Sequence, residues 1–371
     1  MVKTRTMNRA ATPRNAEERR WEASTESLAR AQARVGASRL DLSLDLDGSA
    51  ASTGVHLQLS LETDAPRGAG APAAPFTGDT TPDVVFGPRG HGAIVIIAMK
   101  DLEERRPRVK AKVDAILGDD PKERTDYFAA ANWPDHVRLS RPETRPWHYV
   151  DIVYDPLSPD APLALPEAPH AISGLVAMSE ALRRIDDPEK RADALCFVLH
   201  IVGDIHQPFH CITRVTREHP APEGDRGGNL FKLRGPYRNM HSLWDDSVNL
   251  MLQDTAEDIA AEIMKLQPRD GLERELAMKT PEAWVRAGYT LAVERGYKPL
   301  EDGAGDALRA PSAYLREMLA LERAHESLEA VDSGAPRPSN TYLREARDLG
   351  QRQAALGGYR LADWLAEWLG G

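Results

Sequence analysis

Cysteine is nearly absent from this chain: Cys196 and Cys211 are its only thiols in 371 residues. A disulfide framework is therefore excluded, a single bridge at most remains open, and both thiols read as small buried apolar side chains. Long apolar runs are missing too. No stretch reaches the roughly 18 apolar residues that a membrane-crossing helix needs, so no membrane partner is expected. Basic residues are in deficit, with 47 Lys and Arg against 57 Asp and Glu, for a formal net charge of −10. That balance argues against a broad, sequence-independent grip on nucleic acid, which relies on a basic surface. It leaves room for a small site whose positive charge comes from bound metal. The N-terminus "MVKTRTMNRAATPRNAEERRWEAS" has basic residues but no apolar segment behind them, so it does not read as a secretory signal.

Histidine is scarce as well, at 11 in the whole chain, yet three fall within "HIVGDIHQPFH", residues 200–210. The stretch leading into it, "ADALCFVLHIVGD", reads as a buried helix. His200 and Asp204 lie four apart and so project from one helical face. Pro208 is expected to end or kink that helix and leave His210 just beyond it. A buried His and Asp need partners, since unpaired buried polar groups cost about 2–7 kcal/mol. A metal ion is one partner that satisfies both.

Residues 1–84 differ from the rest. "NAEERRWEASTESLARAQARV" suits a polar helix. "LDLSLDLDG" and "VHLQLSLETD" alternate apolar and polar residues, as two half-exposed strands would. "APRGAGAPAAPFTGDTTPD" is a Gly/Pro/Ala-rich linker. This region is expected to be a partly disordered extension, with no partner named by its composition. Residues 85–371 read as an all-α domain. Its helix candidates are "HGAIVIIAMKDLEERRPRVKAKVDAILG", "AISGLVAMSEALRRI", "DPEKRADALCFVLHIVGD", "TAEDIAAEIMKL", "TPEAWVRAGYTLAVERGY" and "TYLREARDLGQRQAALGGYRLADWLAEWL". Asp187 with Pro188 and Thr280 with Pro281 are good N-cap and N1 pairs.

The His/Asp theme repeats through this domain. "NWPDHVR" holds Asp135 and Arg138, "RPWHYVDI" holds His148, Tyr149 and Asp151, and "FGPRGH" sets His91 at the start of the first apolar helix. "NMHSLWDDS" places His241 and Asp245 four apart. Between the helical pairs lies "EGDRGGNLFKL", whose glycines suit a sharp turn or close backbone approach. One such pair is more often a local hydrogen bond than a metal site. Two pairs with isolated His and Asp beside Trp and Pro shift that balance. Imidazole and carboxylate without thiolate suit catalytic rather than structural zinc. Seven or eight ligands exceed what one tetrahedral ion uses, and closely spaced ions commonly serve phosphoryl transfer.

In this order and spacing, "WPDHVR", "WHYVDI", "LHIVGDIHQPFH", "GDRGGN" and "MHSLWD" resemble the S1/P1 nuclease family, from about Phe86 to the closing "GGYRLADWL". The resemblance implies a mainly helical phospholipase C/P1 nuclease-like domain with up to three zinc ions. One would take Asp135, His148, His200 and Asp204, and a second His210, His241 and Asp245. The third would take His91, share Asp204, and be completed by the backbone at Phe86, where the family has an N-terminal tryptophan. It implies metal-bound water as nucleophile, Arg138 stabilising phosphoryl charge, Tyr149 stacking on a base and Asp151 hydrogen-bonding the base edge. Single-stranded DNA, RNA or a nucleotide is the implied substrate, cut to 5′-mononucleotides with 3′-nucleotidase activity.

Each role has a plainer competitor. Arg138 is also a natural ion-pair partner for Asp135, Tyr149 a core ring, Asp151 an orienting partner for His148, and Asn229 a loop-holding residue rather than a substrate contact. His206 reads as structural and His136 as exposed. The sequence departs from the family at Phe86, an internal residue whose amide nitrogen does not coordinate zinc as an amine does, so the third site is expected to be weaker or absent unless cleavage precedes Phe86. Family members are typically exported, whereas this N-terminus shows no signal, so localisation stays open. A phospholipase C-like phosphodiesterase and a non-catalytic metal-binding homologue are the alternative functions.

Overall fold

The computed structural model describes residues 87–159, 161–248, 255–301 and 334–370, together with the backbone of three strands nearer the N-terminus. The chain divides into two units, Met1–Thr77 and Gly78–Gly371. In the first, β1 (Ala33–Val35), β2 (Ser38–Leu44) and β3 (Leu57–Thr63) form an antiparallel sheet, with Ser38 opposite Thr63 and Leu44 opposite Leu57. The alternation of apolar and polar residues thus marks β2 and β3. The polar helix expected to run to Val35 is corrected at its end, where Ala33–Val35 is strand; its remainder, the Gly/Pro/Ala linker and Phe86 lie outside the described residues.

The second unit is mainly helical. Helix α1 (Pro88–Arg105) is its axis: Ala93, Ile94, Val95, Ile97 and Ala98 are fully buried on successive faces, so no side of the helix remains for solvent over that stretch. A single helix from His91 to Gly118 is the sequence expectation, and the structure corrects it. The chain breaks at Arg106, with φ −144° and ψ 56°, and α2 (Pro107–Gly118) restarts beyond it. Pro107 has no N–H to donate and disfavours helical geometry in the residue before it.

Helix α3 (Tyr127–Val137) starts at Asp126, whose carboxylate accepts from the Ala129 N–H. Nothing in the spacing announces this helix, because Pro134 interrupts its pattern. Then come α4 (Ala171–Arg184), α5 (Pro188–Asp204), α6 (Met240–Asp245), α7 (Ala256–Leu266), α8 (Glu273–Leu276), α9 (Pro281–Leu291), α10 (Lys298–Glu301) and α11 (Asn340–Leu369). Asp187 and Thr280 cap α5 and α9 through their side chains, as their pairing with Pro188 and Pro281 implies. Residues Ala292–Tyr297 continue α9 as a π-helical turn instead of α-helix. Helix α11 packs along α1 at Gly358, where a Cβ would lie 2.5 Å from Ile97 Cγ2.

One small sheet crosses the helices. β4 (Val153–Tyr154) pairs in parallel with β5 (Thr213–Arg214), and the ladder extends through Val150 N to His210 O at 2.7 Å. It ties the segment after His148 to the segment after His210. Cys196 and Cys211 are free and buried, with no bridge between them. Among the described residues, no helix is long and apolar enough to cross a membrane.

Candidate metal centre

Six segments bring the histidines and aspartates together. Helix α5 presents His200 and Asp204 from its last turns, both fully buried. It stops at Asp204, ahead of Pro208, and a short 3-10 turn over Pro208–His210 delivers His210. The last turn of α3 supplies Asp135, and a second 3-10 turn, Pro142–His148, ends on His148. Helix α6 supplies His241 and Asp245 from one face. The first turn of α1 supplies His91, whose ring stacks on His200 with centroids 4.0 Å apart. That approach needs Gly203, since a Cβ there would lie 2.6 Å from His91 Nδ1.

In the tightest group, His148 and His200 each approach both Asp135 and Asp204. His148 Nδ1 lies 2.9 Å from His200 Nε2, 3.1 Å from Asp204 Oδ2 and 3.5 Å from Asp135 Oδ1. His200 Nε2 lies 3.0 Å from Asp204 Oδ2 and 3.5 Å from Asp135 Oδ1. A tetrahedral zinc with bonds of 2.0–2.1 Å requires ligand–ligand edges of about 3.3 Å. Hydrogen bonds account for only part of the spacing. A neutral imidazole has one N–H, and His200 directs Nδ1 to the Ala131 carbonyl at 2.7 Å. One proton on His148 Nδ1 serves either His200 Nε2 at 2.9 Å or Asp204 Oδ2 at 3.1 Å, whereas a metal ion bound by all of these atoms would satisfy them together.

Two further groups adjoin this one. His210, His241 and Asp245 form the second, with His210 Nε2 3.4 Å and His241 Nε2 3.5 Å from the Asp245 carboxylate. His91 joins His200 and Asp204 in the third. Asp204 is divided between them: Oδ2 faces His148 and His200, while Oδ1 lies 3.3 Å from His91 Nε2 and 3.2 Å from His210 Nδ1. The donor set fits metal. Among the described residues, the buried atoms Asp135 Oδ1, His148 Nε2, Asp204 Oδ1, His210 Nε2 and Asp245 Oδ2 make no hydrogen bond. In the absence of an ion the cluster holds protons instead. Burial resists charge on His210, yet the Asp204 and Asp245 carboxylates outweigh it and carry its pKa up to about 10. Burial alone would push Asp204 up, and His200 and His210 pull it well below the usual carboxylate range.

Support around the ligands comes largely from the main chain. His210 Nδ1 meets the His148 carbonyl at 2.9 Å and His241 Nδ1 the Gly227 carbonyl at 2.7 Å, so each ring keeps Nε2 for the cluster. Gly227 sits at φ +64°, and a Cβ there would lie 2.4 Å from the Phe209 carbonyl. The glycines of "GDRGGN" therefore serve close backbone approach. Asp225 anchors this loop, accepting from the Arg214 and Gly228 N–H groups and from the Tyr297 hydroxyl at 2.6 Å. Gln207 donates to Asp245 Oδ1 at 2.7 Å. Sequence reasoning passed over Gln207 and Asp225 as supports, although both lie inside the quoted motifs.

The remaining candidates divide. Arg138 NH1 lies 3.6 Å from Asp135 Oδ1, so the plainer ion pair is present. Tyr149 is 40 % exposed and is not a core ring. Asp151 makes no hydrogen bond to His148; burial and Asp225 push its carboxyl up to about 7. Asn229 donates to the Arg226 carbonyl and so holds the loop. His206 is buried and structural: Nδ1 contacts the Val202 carbonyl, Nε2 accepts from Arg360 NH1 at 2.9 Å, and burial with Arg360 keeps the ring neutral, its pKa about 3. His136 is exposed and bonds the Asn132 carbonyl. A surface cleft lined by Asp101, Arg269 and Lys279 lies apart from the cluster, and Arg269 is paired there with Asp101 and Asp363.

With this geometry in view, the likeness to known proteins is specific. The profile of the family described as S1/P1 Nuclease matches residues 86–370. Nuclease S1 of Aspergillus oryzae (strain ATCC 42149 / RIB 40) is 27 % identical over 171 residues, 44 % of this chain and 54 % of that protein. Endonuclease 2 of Arabidopsis thaliana is 23 % identical over 242 residues, 59 % of this chain and 79 % of that protein. Endonuclease 4 of the same plant is 26 % identical over 181 residues, 44 % of this chain and 55 % of that protein. The chain thus spans about half the length of the first of these relatives.

Proposed function

The chain belongs to the S1/P1 nuclease family, and from that premise we propose that it is a zinc-dependent phosphodiester hydrolase. Its substrates are single-stranded DNA and RNA, cut to 5′-mononucleotides, with 3′-nucleotidase activity. The observation that carries this reading is the convergence of Asp135, His148, His200 and Asp204, with nitrogen-to-oxygen distances of 3.0–3.5 Å. These four would hold one zinc, and His210, His241 and Asp245 a second. His91 with the other oxygen of Asp204 would hold a third only weakly unless cleavage ahead of Phe86 frees its amine. Bound there, zinc supplies positive charge against a phosphate and lowers the pKa of water toward neutrality.

The chain's own residues do the rest. Arg138 stands beside Asp135 with a planar guanidinium suited to two phosphoryl oxygens. The exposed Tyr149 ring offers a face to an unpaired base. Asp151, poised near neutrality, presents a carboxyl that donates or accepts at the base edge. Asn229 keeps the glycine loop closed beneath them.

The test is release of mononucleotides from single-stranded DNA and RNA by intact full-length protein. Activity removed by chelation and restored by zinc is expected. Silence of the full-length chain with activity in a form beginning at Phe86 would make the preceding residues a pro-segment. Silence of both forms, with hydrolysis of phosphatidylcholine, would replace the nuclease by a phospholipase C-like enzyme. No hydrolysis of any of these would leave a metal-binding homologue.

A further inference from the structure

The chain is acidic overall, yet exposed arginines stand on two of the turns that carry or support the metal-ligand residues. Arg145 and Arg226 both act electrostatically on the Tyr149 phenol, opposing the upward push of burial and of Asp151. They arrive from different ligand groups. Arg145 lies on the 3-10 turn that ends at His148, and its Nε donates to the Arg138 carbonyl at 3.2 Å. Arg138 in turn reaches Asp135. Arg226 adjoins Gly227, whose carbonyl accepts from His241 Nδ1. Both side chains are exposed, and among the described residues neither forms an ion pair. Every ion pair around Arg124 or Arg269, by contrast, is closed within the protein.

Arg226 also carries backbone strain. Its φ is +56°, a left-handed conformation that a residue with a Cβ rarely adopts, between Gly224 at +54° and Gly227 at +64°. Glycine or asparagine would sit there at less cost, so folding alone does not call for arginine. Non-glycine residues held in this region cluster at binding and catalytic sites.

We propose that Arg145 and Arg226 bind backbone phosphates of a nucleic-acid strand that crosses the exposed turns beside the metal-ligand cluster. The protein would then favour an oligonucleotide over a mononucleotide. Exposed guanidinium groups without carboxylate partners, on turns one of which leads to the exposed Tyr149 ring, suit the tracking of single strands. The proposal rests on the nuclease reading for its choice of strand. It does not depend on hydrolysis.

Two measurements therefore keep the ideas apart. Binding of a fluorescein-labelled twelve-nucleotide oligothymidylate is followed by anisotropy with chelator-treated full-length protein, at several salt concentrations. Cleavage of the same oligonucleotide is followed with zinc-loaded protein. R145Q and R226N are compared with the parent; asparagine tolerates the backbone at 226, so folding and zinc content should match. Each substitution is expected to weaken binding about tenfold, the scale of one charge-assisted hydrogen bond. Each should also flatten the slope of log affinity against log salt by about 0.7, one phosphate contact on a single strand. Unchanged affinity and slope in both variants would overturn the arginine proposal even if the parent cleaves. Arginine-dependent binding to phosphatidylglycerol vesicles without binding to the oligonucleotide would overturn it in favour of a lipid surface. Arginine-dependent oligonucleotide binding by a parent that cleaves nothing would sustain it and sink the nuclease reading.

Discussion

Helix α5 carries a polar cluster at each end, and the two are built on opposite plans. Near its start, Asp193 forms ion pairs with Lys122, Arg124 and Arg141 at 2.9, 2.8 and 3.1 Å. Arg124 also makes a two-pronged pair with Asp120, and Lys122 reaches Glu189. Three cations meet three carboxylates, and the Arg124 guanidinium lies 4.2 Å from the Trp133 ring. At the other end His200 and Asp204 face more of their own kind: imidazole nitrogens and carboxylate oxygens converge at 2.9–3.5 Å with no lysine or arginine among the four ligands. The first cluster is matched in charge by the protein's own side chains. The second has the donor set that a metal ion would complete. Buried polarity by itself therefore says little about function; the matching of donors to acceptors distinguishes a rivet from a site.

Asp204→Asn should break the comparison most severely. It withdraws the one carboxylate that serves two groups, so zinc retained after dialysis should fall toward what His210, His241 and Asp245 hold alone. Hydrolytic activity should drop beyond the 10–100-fold typical of losing an outer partner. Elemental analysis and a single-strand cleavage assay read both, and full zinc retention would mean that the converging atoms do not define an ion site.

Arg124→Met attacks the closed end. It strands Asp120, whose side chain is fully buried, and breaking a buried pair in this way costs about 3–5 kcal/mol. Urea unfolding should show that loss, while zinc content well below the melting temperature stays at the parent's value. A variant as stable as the parent would remove the distinction drawn between the two ends.

The smallest effect is one of pH. His210 has its pKa raised to about 10 in the metal-free cluster, where burial is outweighed by Asp204 and Asp245. A raised histidine stabilises the fold fully below its unfolded pKa of about 6.5 and loses that contribution as pH climbs through the folded value. Melting temperature of chelated protein should therefore fall from about pH 7 to pH 10. At the closed end, burial is outweighed by the Arg124 pairing and two backbone N–H bonds, which hold the Asp120 carboxyl low; its contribution is lost only in acid, so it adds nothing to this drift. Zinc takes the lone pair that the proton held, and restoring it should abolish the fall. A drift that persists with zinc bound would show that His210 is not a ligand.

Much of this was legible because its signals are local. The i, i+4 spacing of His200 with Asp204 and of His241 with Asp245 places each pair on one helical face, and the helices formed there. Asp187 and Thr280 announced their caps. Helix α3 was hidden because Pro134 breaks its pattern, although Asp135 hangs from it. The break at Arg106 was readable from Pro107, but the apolar periodicity on either side outweighed it. The hold of Gln207 on Asp245 and of Asp225 on Arg214 and Tyr297 joins segments 11 to 72 residues apart, and no spacing rule reaches across such distances.

The Nδ1 atoms of His200, His210 and His241 are each engaged by a carbonyl of the peptide backbone, at Ala131, His148 and Gly227. A carboxylate in that position can be deleted by one codon change. A carbonyl is present whichever amino acid occupies its position, so the tautomers of three rings offer almost no target to point mutation. At 131 the limit on substitution is then set by core packing, where Ala131 is fully buried, and not by the carbonyl; residues around the rim can change while ring orientation is inherited unchanged. Gly227 is the exception, because its lack of a side chain is what lets the carbonyl arrive, and drift in this chain should meet its hardest limit there.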